Sequence, residues 1–164
     1  MDRQVYFDDI EARMSWLATR IEVRSGINIL NLNLHSEDFF IQLLNKVYSL
    51  NLENLNNGEQ NIAGLDLVDH SNKIVMQVSS TATKSKIESS LAKNLSRFSG
   101  YNFRFVSISK KVQNLSSLKI KNPSGLSYDP QNDTIDLPRI LTDLKGLPIQ
   151  QLAGIHKLVC SELR

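Results

Sequence analysis

Apolar positions along this chain keep a helical period, switch to a period of two, and switch back. From Asp8 to Ser25, Ile10, Met14, Leu17 and Ile21 recur at helical spacing, with Glu11, Arg13, Arg20, Glu22 and Arg24 on the polar side. Gly26 is a stop signal. In INILNLNLH apolar residues alternate with Asn, a poor strand former, so this stretch reads as a connector. Ser36 suits a helix N-cap, with Glu37 and Asp38 in a first turn where acids answer the helix dipole. Phe39, Phe40, Leu43, Leu44, Val47 and Tyr48 make a wide apolar stripe that ends near Leu50 and predicts a central helix. NLENLNNGEQN reads as a polar loop.

The period of two then takes over. Ile62–Asp69 and Lys73–Ser79 read as strands joined by a turn at His70, Ser71 and Asn72. Each apolar run is broken by one polar residue, Asp66 in the first and Gln77 in the second. Alternation places Gln77 with Val75 and Ser79 and puts Ile74, Met76 and Val78 on the other face. Asp66 is opposed to Leu65 and Leu67 in the same way, so a hairpin lets Asp66 and Gln77 project from one face. Helical spacing returns from Lys84 to Phe98 through Ile87, Leu91, Leu95 and Phe98, and Gly100 ends it. Phe103–Ser109 reads as a third strand, reached by a crossover helix. Lys110–Pro123 is a basic, polar loop, and Tyr128-Asp129-Pro130 is a turn. Asp136 caps a short helix through Leu144, with Pro138 in its first turn and Gly146 at its end. A last helix begins near Pro148 and carries Ile149, Leu152, Ile155, Leu158 and Val159 without a stop signal.

These elements predict an α/β fold, a small mixed β-sheet flanked by helices, in the order helix, helix, hairpin, helix, strand, with C-terminal helices. The expectation is one domain over residues 1–164, with a core at about 34–110 and a helical extension at about 136–164. The missing stop signal suits an N-terminal module of a larger protein. A chain of 164 residues is long enough for a proper core. A net charge of +2 is too small to point to nucleic acid or a membrane. Cys160 is the only cysteine, so no internal disulfide forms, which fits a cytoplasmic setting. No apolar signal segment or membrane-length run is present, so no membrane partner is expected. His35, His70, His156 and Cys160 do not fall into zinc-finger spacing.

Asp66 and Gln77 offer a carboxylate and a carboxamide oxygen, both ligands for a hard metal ion; alone, such a pair more often faces solvent. Ser79, Ser80 and Thr81 precede a helix whose backbone N–H groups could take a phosphate, or they are only caps. Lys84, Lys86, Lys93 and Arg97 could follow a nucleic-acid backbone, or form a solvated helix face. Asp69 reads as a solvated acid beside the turn. His35 beside Glu37 invites acid–base chemistry, though a histidine at a helix start is more often structural or exposed.

Three stretches, HSEDFFIQLLNKVYSLNLENLN, AGLDLVD and KIVMQVSSTATKSKIESSLAK, resemble the bacterial SMEK domain, as does YDPQNDTIDLPRILTDL near the C-terminus. The resemblance runs from about Leu34 to Leu144. Through it the chain distantly resembles the restriction-endonuclease-like, PD-(D/E)XK, fold. That resemblance implies a metal site of Glu37, Asp66 and Gln77, with Mg²⁺ or Mn²⁺ as cofactor and nucleic acid as substrate. It also implies a setting in bacterial anti-phage defence, with attached sensor or NTPase domains and a homo-oligomer as partners. The lysine expected two positions after Gln77 is Ser79, so Lys84 or Lys86 would have to supply the charge. Ser79 also supports a different class, a non-catalytic interaction or oligomerisation module that keeps the fold. A third reading is a nucleic-acid binder without cleavage.

Overall fold

The structure is a computed structural model that describes residues 2–26, 35–55, 65–93, 95–109, 111–112, 117 and 119–163, with only the backbone described at 25–26, 35–37 and 65. Helices α1 (Arg3–Gly26) and α2 (His35–Tyr48) come first, then strands β1 (Glu53–Asn54), β2 (Leu65–Asp69) and β3 (Ile74–Ser79). Helix α3 (Lys84–Leu91) leads through a 3₁₀ turn at Ser96–Phe98 to β4 (Asn102–Ser107). Next are α4 (Pro130–Asp133), β5 (Thr134–Ile135), α5 (Leu137–Lys145) and α6 (Ile149–Glu162).

The five strands form one mixed sheet in sequence order. β1, β2 and β3 are antiparallel, whereas β3, β4 and β5 run parallel. The parallel step from β3 to β4 is the crossover that the spacing predicts, with α3 inside it. Alternation along the strands sorts the two cores. Leu67, Met76, Val78, Val106 and Ile135 pack with α1, α2, α5 and α6 on one face. Val68, Val75, Phe103 and Phe105 meet Ile87, Leu91, Leu95 and Phe98 on the other.

Several boundaries differ from the periodicity, for local reasons. α1 begins at Arg3 rather than Asp8 because Tyr6 and Phe7 also pack on the core. α2 begins at His35, which puts Ser36 inside the helix rather than at its cap. β1 lies in the stretch that reads as a polar loop; two residues carry no period, but Glu53 and Asn54 pair with Val68 and Leu67. β5 escapes for the same reason and pairs with Phe105 and Val106. α3 stops at Leu91, and Leu95 and Phe98 reach the same core from beyond its end. Residues 62–64 of the first predicted strand lie outside the described residues.

Asp136 caps α5 as the sequence predicts. Its carboxylate accepts from the Arg139 amide at 3.0 Å and from the Val112 amide at 3.3 Å. Asp136 is buried, so both donors would lose their partner in Asp136→Ala. A loss of about 1–2 kcal/mol is expected, read as a lower urea midpoint with an unchanged m-value.

Asp69 corrects the expectation of a solvated acid. Its carboxylate is fully buried and accepts from the Asn51 amide at 2.8 Å, the Asn72 amide at 2.9 Å and the Asn72 side chain at 2.7 Å. It ties the α2–β1 connector to the β2–β3 turn. Burial pushes its pKa up, but the bonds from Asn51, Asn72 and the Ser71 amide outweigh burial and hold it below the ordinary carboxylate value.

Candidate functional site

The β2–β3 register makes Asp66 and Gln77 direct cross-strand neighbours. Both stand on the face shared with Val68, Val75 and α3, as alternation predicts. Because α3 crosses this face, the turn after it sets Lys93 above the pair. Lys93 Nζ lies 3.2 Å from Asp66 Oδ1, 3.2 Å from Asp66 Oδ2 and 3.2 Å from Gln77 Oε1. Gln77 is buried, and its Nε2 donates to the Val78 carbonyl at 3.4 Å, which leaves Oε1 turned toward the lysine. The Lys93 carbonyl accepts from Ser124 Oγ at 3.3 Å, so the Ser124 loop anchors the lysine's backbone.

These side chains line a cleft of about 300 Å³, with Leu55, Ser90 and Arg97 on its walls. The Arg97 guanidinium lies over the Phe98 ring, 4.8 Å from its centre, a cation–π contact that keeps the charge at the rim. The cleft therefore joins an acidic and amide floor to two cations. It can hold a cation between its oxygens or an anion against Lys93 and Arg97.

Other predicted site residues fall elsewhere. Lys84 pairs with Glu88 at 3.6 Å along the exposed side of α3. The Lys86 amide is taken by the Thr83 cap, and its carbonyl accepts from Ser89 and Ser90. The lysine that meets Asp66 and Gln77 is thus Lys93, which the sequence reading assigns to backbone contacts. Ser80 is buried and its carbonyl accepts from Ser109 Oγ at 2.7 Å. Ser79 is buried too, with its Oγ accepting from the Thr81 amide at 3.0 Å. Thr83, not this serine run, caps α3, so Ser79–Thr81 do not form its first turn. The Glu37 and His35 side chains lie outside the described residues. The α2 helix that carries them belongs to the layer on the opposite face of the sheet from Asp66 and Gln77.

A second constellation escapes the finger-spacing test. His156 and Cys160 are four residues apart on α6, one helical turn, and meet Asp9 of α1. The four-residue spacing on an amphipathic helix was the available signal, but the partner from the far end of the chain gives no local sign.

Among the described residues no helix is long and apolar enough to cross a membrane. No curated protein matches the chain. No solved structure matches it either. The family model of the SMEK domain matches residues 9–145, a span that holds the whole sheet and helices α2 to α5. The resemblance carried by the α2, β2 and β3 stretches is therefore a family relationship: the chain belongs to the SMEK domain family.

Proposed function

We propose that the Asp66–Gln77–Lys93 cleft is the active site of a divalent-metal-dependent hydrolase of nucleic-acid phosphodiester bonds. The observation that carries this reading is the convergence of three oxygens, two from Asp66 and one from Gln77, on one cation, the Lys93 ammonium. The order α2, β-hairpin, α3, β4 supports it, since the restriction-endonuclease-like resemblance implies that order. A carboxylate and a carboxamide oxygen fit Mg²⁺ or Mn²⁺, with Asp66 and Gln77 as the holding residues. When bound, such an ion polarises a phosphoryl oxygen and makes bound water more acidic. Lys93 offsets the charge that develops on the phosphoryl oxygens. Arg97, at the rim, holds a neighbouring backbone phosphate. A place in bacterial anti-phage defence, and in a larger multidomain protein, rests on the resemblance alone.

A non-catalytic interaction module is the second reading. Ser79 favours it, because a buried serine stands where the nuclease pattern has a lysine. The test is cleavage of plasmid DNA and of a structured RNA with Mg²⁺ or Mn²⁺. Lys93→Met is expected to lower the rate by about 10²-fold. Lys84→Ala, which removes only an exposed pair, is expected to stay within about twofold. A well-folded sample without cleavage, alone and as an enforced oligomer, would favour the interaction module. Salt-dependent binding that survives Asp66→Ala, with no cleavage, would favour a binder.

A further inference from the structure

Helices α1 and α6 pack along one another, with Ile10, Met14, Ile155 and Val159 in the buried seam. At the solvent edge of that seam, His156 Nε2 lies 2.9 Å from Asp9 Oδ2 and 3.3 Å from Cys160 Sγ. The three donor atoms all lie within 4.8 Å of one another. The Tyr6 ring packs against the His156 imidazole at 4.8 Å between centres, which restricts its orientation.

Both contacts use the same ring nitrogen. Nε2 carries either one hydrogen or one lone pair. As a donor it serves the carboxylate and leaves the thiol hydrogen without that partner. As an acceptor it takes the thiol hydrogen and turns its lone pair toward an anionic oxygen. A nucleophilic relay would use the two ring nitrogens for two different partners, so this cluster is not built as one. A single cation at the meeting point answers the carboxylate, the lone pair and the sulfur together.

We propose that Asp9 Oδ2, His156 Nε2 and Cys160 Sγ form a three-ligand site for a divalent transition metal of the zinc class, with a fourth position open to solvent. Zinc takes oxygen, nitrogen and sulfur ligands at about 2.0–2.3 Å in a tetrahedron, so the ligand atoms need to move by only about 1 Å. Two ligands one turn apart on a helix, with a third from a packed neighbour, form a rigid frame for it. Sulfur and imidazole select against Mg²⁺ and Ca²⁺, so this site is chemically separate from the cleft. Binding releases the thiol proton to solvent, so affinity falls with decreasing pH. The bound ion bridges α1 and α6 and stabilises the fold by mass action.

The probes are Co²⁺ and Zn²⁺ added to the full chain. Co²⁺ is expected to give a thiolate-to-cobalt charge-transfer band that saturates near about one equivalent. Zn²⁺ displaces it, excess Mg²⁺ does not, and Zn²⁺ raises the Tm. Cys160→Ser removes the band. Asp9→Asn, at a half-exposed side chain that the core does not need, weakens Co²⁺ binding by about tenfold or more, and His156→Gln does the same. Asp66→Ala leaves the titration as in the wild type, which separates this site from the cleft. Two results would overturn the proposal: a wild type without the charge-transfer band, or a natively folded Asp9→Asn and Cys160→Ser pair that bind Co²⁺ as tightly as the wild type.

Discussion

Asp66→Ala is expected to lower metal-dependent cleavage by about 10³-fold or more while leaving the fold in place. Asp66 supplies two of the three oxygens around Lys93, and its side chain is only 16% exposed, inside the cleft. Without it, only the Gln77 amide is left of the Asp66–Gln77 pair, and a neutral amide binds hard cations weakly. The stability cost is small by comparison. Lys93 is 48% exposed, so its ammonium returns to water when its partner goes. That solvent-screened pair is worth less than about 1 kcal/mol. Single-turnover cleavage with Mn²⁺, beside a thermal melt of the same sample, separates the two effects. A variant that cleaves within about tenfold of the wild type would remove Asp66 from the site.

Asp69→Ala is expected to do the opposite, destabilising the whole chain by about 3 kcal/mol. Three donors, the amides of Asn51 and Asn72 and the Asn72 carboxamide, lose a charged acceptor in a fully buried position. Asn51 and Asn72 are themselves exposed, so the cost falls on the lost charge-assisted bonds and on the void that the methyl group leaves at the buried Asp69 position. The pH dependence has a fixed sign. The carboxyl pKa is lower in the folded chain than in the unfolded one. Its stabilisation is therefore complete above the unfolded carboxylate pKa and is lost as pH falls through the folded value. Urea midpoints measured from neutral to acid pH should show the wild type converging on Asp69→Asn at the acid end. Parallel curves down to the lowest accessible pH would show that the carboxylate is not the source of the stability.

Much of this architecture was legible because it rests on period. The alternation of Val75, Gln77 and Ser79 against Ile74, Met76 and Val78 is the division between the two cores, and it also set Asp66 beside Gln77. The cap at Asp136 was legible as chemistry. What escaped has no period. Strands of two residues, β1 and β5, are defined by their partners and not by their own composition. Asp69 looked like a turn acid because sequence shows which donors adjoin it along the chain, not that Asn51 returns to it from an earlier connector. In the sequence Lys93 reads as one of several cations along one continuous helix. Only the end of α3 at Leu91 turns it over the hairpin instead of along the line of Lys84 and Lys86.

The pairing of α1 with α6 sets an order for biosynthesis. A ribosome releases α1 first, yet the surface that covers Ile10, Met14, Leu17 and Ile21 comes largely from residues 149–162. Throughout the synthesis of residues 27–148 the first helix lacks α6, its most extensive partner, while the β2–β3 hairpin closes locally within a few residues. The hairpin that frames the cleft is thus able to form early. The helical layer behind it is completed only once α6 has been made.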